Sequence, residues 1–174
     1  MSKVILITQR LQKDYISFIH EDANLPCSLH VGAIEAQRLM GTDSREGILP
    51  RFLKALYAEK TNNIEIIHLI EEHNLADPEQ GEEIKIYGIH CVEKTSGVEP
   101  IQAIKLRDKQ DPFTKIIKSK GKNDFYSSTV KDTIEKIIGK THIEDVHIFI
   151  IGVRTELNIR YLIYDIKYRL GIKH

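Results

Sequence analysis

The sequence predicts an α/β protein: a three-layer α/β/α, Rossmann-like domain around a central, mostly parallel β-sheet. Three observations carry that prediction. Short apolar runs rich in β-branched residues recur along the chain, segments of helical periodicity lie between them, and single glycines close several of those segments.

The run VILIT at 4–8 is almost wholly apolar, as a strand covered on both faces requires. HVGAIEAQRLMG (30–41) and ILPRFLKALYAEK (48–60) then place apolar residues at helical spacing, and IEIIHLI (64–70) reads as the second strand. The acidic stretch at 71–97 breaks the alternation. It is expected as a long connection at the carboxyl end of a strand, where doubly wound folds keep their sites. EPIQAIKLRDK (99–109) is the next helix and FTKIIK (113–118) the third strand. SSTVKDTIEKIIGK (127–140) opens on residues suited to an N-cap and closes at a glycine. VHIFIIGV (146–153) is the fourth strand, and TELNIRYLIYDIKYRLG (155–171) is a last helix that again ends at glycine. Helices between strands imply right-handed crossovers and hence parallel pairing. A single domain spans 1–174; because GIKH ends the sequence where another strand would follow Gly171, the domain is expected to be cut short at its C-terminal end or set in a longer chain.

Composition narrows the class. The 174 residues suffice for one core, and Lys+Arg equals Asp+Glu at 25 each, which excludes a polyelectrolyte and a strongly basic nucleic-acid binder. The lysines of KIIKSKGK (115–122) have no aromatic residues interleaved and read as a solvated loop. The two cysteines, Cys27 and Cys91, argue against a disulfide framework and for a reducing compartment. The polar residues Gln9, Arg10 and Gln12 interrupt the N-terminal apolar run well short of a signal or membrane segment. A soluble cytoplasmic protein is the expectation.

Five stretches then fall in one order: QRLQKDY after the first strand, EEHN after the second, GIHCVEKTSGVEPI, KGKNDFYSST, and IIGVRTELNIRYLIYD. Over roughly residues 3–172 this order resembles the isochorismatase-like cysteine hydrolases, the superfamily that includes nicotinamidases. The resemblance implies a triad of a first-strand Asp as general base, a Lys and a Cys, since a thiol becomes a nucleophile only where a base and a cation favour thiolate. In this chain RLQKDY aligns Gln12, Asp14 and Tyr15 with the family pattern and puts Arg10 at the base. The lysine is Lys120, five residues before Phe125, with Lys118 as its rival. In the late turn Gly152, Val153 and Thr155 match, and Asn158 stands where the cysteine belongs. An arginine cannot accept a proton, and a carboxamide is no nucleophile. The implied triad positions are therefore Arg10, Lys120 and Asn158, with none of the catalysis intact.

The resemblance also implies a cis peptide after Val153, forming an oxyanion-type hole, and a nicotinamidase-like divalent metal, zinc or manganese, at Glu71, His73 and His90. Two readings of the vestigial pocket follow. In one, Arg10, Lys118 or Lys120, Arg154 and Asn158 converge on a small anionic metabolite. In the other, Arg10 pairs with Glu71, Glu72 or Asp14 and plugs the pocket. The functional expectation is a degenerate domain serving as a binding, regulatory or assembly module. The alternative is an active hydrolase of a small amide or enol ether with a site rearranged around Lys120, the metal or Cys91. Members of such a family assemble, so a homo-oligomer or a partner domain is expected, with Tyr161, Tyr164 and Tyr168 at helical spacing as candidate core or interface.

Overall fold

A computed structural model describes residues 2–17, 27–42, 46–58, 64–105, 113–121, 123–153 and 155–172. Strands β1 (Lys3–Gln9), β2 (Ile64–Glu71), β3 (Thr114–Ser119) and β4 (Val146–Gly152) form one sheet, ordered β3-β2-β1-β4 and parallel throughout. Alternating side chains explain the apolar runs. Leu6 and Ile66 face one core with Met40, Leu53 and Tyr57, while Ile5, Ile7, Ile67 and Leu69 face another with Phe125, Ile134 and Leu162. Helices α2 (Ala33–Met40) and α3 (Ile48–Ala58) supply the first core. Helices α7 (Val130–Ile138) and α8 (Arg160–Arg169) supply the second, giving three layers.

The sequence expectations needed adjustment where polar side chains compete with helix. The helix expected over 127–140 is α7, which starts three residues later; a separate turn, α6 (Asp124–Ser127), precedes it and ends at an extended Ser128, whose hydroxyl accepts from Val130 N at 3.2 Å. Within 99–109 the structure has a helix at Gln102–Lys105, here α5, and residues 106–112 lie outside those described. The last helix opens with a wide π-type turn over Thr155–Ile159, and the acidic excursion carries α4 (Gly81–Tyr87). A short turn, α1 (Lys13–Ile16), follows β1. No helix among the described residues is long and apolar enough to cross a membrane.

Register sets the site. Gln9 pairs with Leu69 on one side and Gly152 on the other, and Glu71 pairs with Ser119. The carboxyl ends of all four strands thus meet at one edge of the sheet, where Arg10, Glu71 and the turn after Gly152 emerge.

Candidate functional site at the carboxyl ends of the strands

Arg10 follows β1 directly, with a positive φ of 55° that a non-glycine residue adopts only under constraint. Its backbone N–H donates to Leu69 O at 2.9 Å, and its side chain turns inward with only 2% exposure. The guanidinium forks onto Glu71, Nε to Oε2 at 3.1 Å and Nη2 to Oε1 at 2.6 Å. Nη1 donates to Asp124 Oδ2 at 3.2 Å and Nη2 to Gly121 O at 3.4 Å. Burial opposes the guanidinium charge, but Glu71 and then Asp124 outweigh it and hold Arg10 well above its ordinary range. Burial likewise opposes the Glu71 carboxylate; Arg10 first, then His73 and His90, bring its carboxyl well below the usual range.

The neighbours of this pair are fixed by their own elements. Asn123 caps α6 by accepting from Phe125 N at 3.1 Å, which aims Asp124 at the sheet edge, where the Gln9 amide also donates to it. Gln12 brackets the Glu71 backbone, donating to Glu71 O at 2.7 Å and accepting from Glu71 N at 2.7 Å, and Tyr15 donates its hydroxyl to Glu71 Oε2. Asn158 sits in the π-type turn after β4. With the amide orientation assigned from its surroundings, its oxygen accepts from Arg10 Nε at 3.0 Å and from both Nη atoms. Five acceptor oxygens, from Glu71, Asp124, Gly121 and Asn158, therefore surround the guanidinium.

Glu71, His73 and His90 do come together, fully buried, with one candidate ligand atom from each within 4.8 Å of the others. His90 Nδ1 lies 2.7 Å from Gly88 O, and His73 Nδ1 lies 3.2 Å from Gln80 Oε1, an oxygen identified by the N–H of Asn74 that donates to it. Both rings thus carry hydrogen on Nδ1. Two Nε2 atoms are left facing each other at 3.1 Å, an arrangement that needs a proton or a cation between them. The His–His separation of 3.1 Å and the His73–Glu71 Oε1 separation of 3.4 Å bracket the about 3.3 Å edge of a tetrahedral zinc site. The donor set fits a divalent metal, although Arg10 and Tyr15 already claim lone pairs of the carboxylate. For His90, burial opposes protonation, but the contact with Glu71 outweighs it and raises the group above the ordinary imidazole range.

The other expected residues stand elsewhere. Lys118 pairs with Glu72 at 2.6 Å with its side chain 61% exposed, and Lys120 is exposed beyond the end of β3; neither lines the cavity beside Arg10. Arg154, with the expected cis peptide after Val153, lies outside the described residues. Of the pairings weighed for Arg10, Glu71 forms; Glu72 is taken by Lys118, and Asp14 accepts from Cys91 N at 2.6 Å. Cys91 is wholly buried, and burial, then Glu71 and Asp14, push its thiol well up, so it offers no thiolate. A cavity of about 140 Å³ opens beside Arg10 and Asn158, walled by Tyr15, Tyr87, Tyr161, Glu83, Leu29 and Leu157. Burial and then the charge of Glu71 raise the Glu83 carboxyl. Sequence reasoning missed Asp124 and Glu83. The one local signal was Asn123-Asp124, a cap followed by a first-turn acid.

No family profile matches the chain, and no curated protein matches it in sequence. Solved structures match its fold. A nicotinamidase/pyrazinamidase from Bacillus subtilis aligns over 98% of this chain and 81% of its own, with TM-score 0.69 and 14% identity. An N-carbamoylsarcosine amidase from Thermoplasma acidophilum covers 96% and 77%, with TM-score 0.61 and 20% identity. A pyrazinamidase of Pyrococcus horikoshii in complex with zinc covers 95% and 79%, with TM-score 0.57 and 18% identity. The chain has the isochorismatase-like α/β fold that its motif order suggested.

Proposed function

We propose that this chain, built on the isochorismatase-like hydrolase fold, works as a catalytically degenerate binding, regulatory or assembly module, with the cavity beside Arg10 and Asn158 as its ligand site. One observation carries the reading: the guanidinium of Arg10, at the place aligned with the general base, is held by Glu71 and Asp124 and touched by the amide of Asn158, at the place aligned with the nucleophile. The guanidinium cannot accept a proton from a nucleophile, and the carboxamide cannot form a bond to an acyl carbon. Assembly has a surface available to it. The edge strand β4 leaves Phe149 57% exposed, and α8 turns Tyr164 and Tyr168 outward. The test is hydrolysis of a panel of small amides and an enol ether, run without metal and with zinc or manganese. No turnover above a heat-inactivated control is expected; turnover lost in Asn158→Ala overturns the proposal.

A second reading keeps a metal, because of the facing Nε2 atoms of His73 and His90. Glu71, His73 and His90 would hold a divalent ion, with Gln80 and the Gly88 carbonyl orienting the imidazoles and Arg10 and Tyr15 orienting the carboxylate. A bound ion supplies Lewis acidity to a substrate oxygen or a water. Elemental analysis of purified protein and of His73→Ala decides it: near-stoichiometric zinc or manganese in the first and its loss in the second are expected if the site is used.

A further inference from the structure

We infer that the cavity beside Arg10 takes a small planar organic cation, recognised by the Glu83 carboxylate and the tyrosines of its wall. The inference rests on the binding-module reading and names its ligand class. An anion entering the cavity meets a guanidinium whose N–H groups already face Glu71, Asp124, Gly121 O and Asn158, so the charge of Arg10 is committed to partners within the chain. It also meets Glu83, which lies in the wall and has no hydrogen-bond or ion-pair partner among the described residues.

Charge decides the sign. The wall itself holds one guanidinium, Arg10, and one carboxylate, Glu83; directly behind Arg10 the buried Glu71 and Asp124 add two further carboxylates, so the fixed carboxylates around the cavity outnumber its one guanidinium. The remaining wall suits the same ligand. Tyr15, Tyr87 and Tyr161 line the cavity, and aromatic rings attract a cation, while Leu29 and Leu157 add apolar wall for an organic body. Lys118 and Lys120, which could have reversed this balance, do not line the cavity.

The experiment is calorimetric titration of the chelator-treated full chain with three molecules of one shape and three charges: benzamidinium, benzamide and benzoate. Benzamidinium is expected to bind at least tenfold tighter than benzoate, and to lose about tenfold in Glu83→Gln, with benzamide unchanged by that substitution. Glu82→Gln, one residue away on exposed α4, is the control and is expected to change nothing. If benzamide or benzoate binds tightest, or Glu83→Gln leaves benzamidinium unchanged, the inference is overturned while the binding-module reading stands. If none of the three binds at millimolar concentration, the cavity is no ligand site and both fall.

Discussion

Arg10→Ala is the substitution whose cost follows most directly from the geometry. It removes the guanidinium that bridges Glu71 and Asp124, whose side chains are 1% and 2% exposed, and strands two carboxylates without solvent. Removing one member of a buried ion pair typically costs 3–5 kcal/mol, because the remaining charge is left desolvated. Tyr15, His73 and His90 continue to contact Glu71 and Gln9 continues to donate to Asp124, so the expectation is about 3–4 kcal/mol, the lower part of that range. For a chain of this length that is roughly 10 °C in Tm. The pH dependence supplies a sharper check. In the native protein the Glu71 carboxyl is held below its ordinary range, so its contribution is present above that range and lost as pH falls. In the variant burial is left to raise the stranded Glu71 carboxyl instead, and that group is stabilised by protonation at low pH. The difference between the two proteins, from urea unfolding at pH 7 and pH 5, must therefore shrink on acidification. A difference under about 1 kcal/mol at pH 7, or one unchanged at pH 5, would refute the reasoning.

Other outcomes follow from the same contacts. His68 is buried between Thr8 Oγ1 at 2.6 Å and Tyr57 Oη at 2.7 Å, and burial lowers it from 6.5 to about 4. The unfolded chain takes up that proton first, so stability should fall as pH drops from 6.5 to 4, by about 3 kcal/mol at the lower end, and His68→Gln should lack that slope. Gly152→Ala would put a Cβ 2.4 Å from Gln9 O, between β4 and β1; a loss of about 2 kcal/mol or more in denaturant unfolding is expected, and a neutral result would contradict the pairing. In His73→Ala, added zinc should no longer raise the unfolding temperature, whereas an unaltered shift would place the ion elsewhere.

How much of this was legible in the chain depended on the range of the interaction involved. The four strands were, because burial on both faces writes an apolar run into the sequence, and the resemblance of the stretches around Gln12 and Gly152 to the isochorismatase-like pattern pointed to Arg10 and Asn158. Asp124 was not: it meets Arg10 across 114 residues, and only the sheet register brings them together. Lys118 and Lys120 were expected in the pocket, but the alternation of β3 buries Ser119 and turns Lys118 outward, and Lys120 is exposed just past the strand's end. Helix α4 buries none of its residues completely, so no apolar stripe announced it, and Glu83 went unremarked with it. The shared claim on Glu71 by Arg10, Tyr15 and two histidines exists only in three dimensions.

Arg10, proposed above to stand in place of a general base, is a locked, sequestered cation, and everything else about the site turns on that. Nitrogen-detected NMR of the arginine side chains, with Arg10 assigned through Arg10→Lys, reads this directly. The account predicts Nε–H and Nη–H signals of Arg10 that are resolved, slowed in rotation and strongly protected from exchange with water. Averaged, rapidly exchanging signals like those expected of the exposed Arg51 would show a free guanidinium and contradict it.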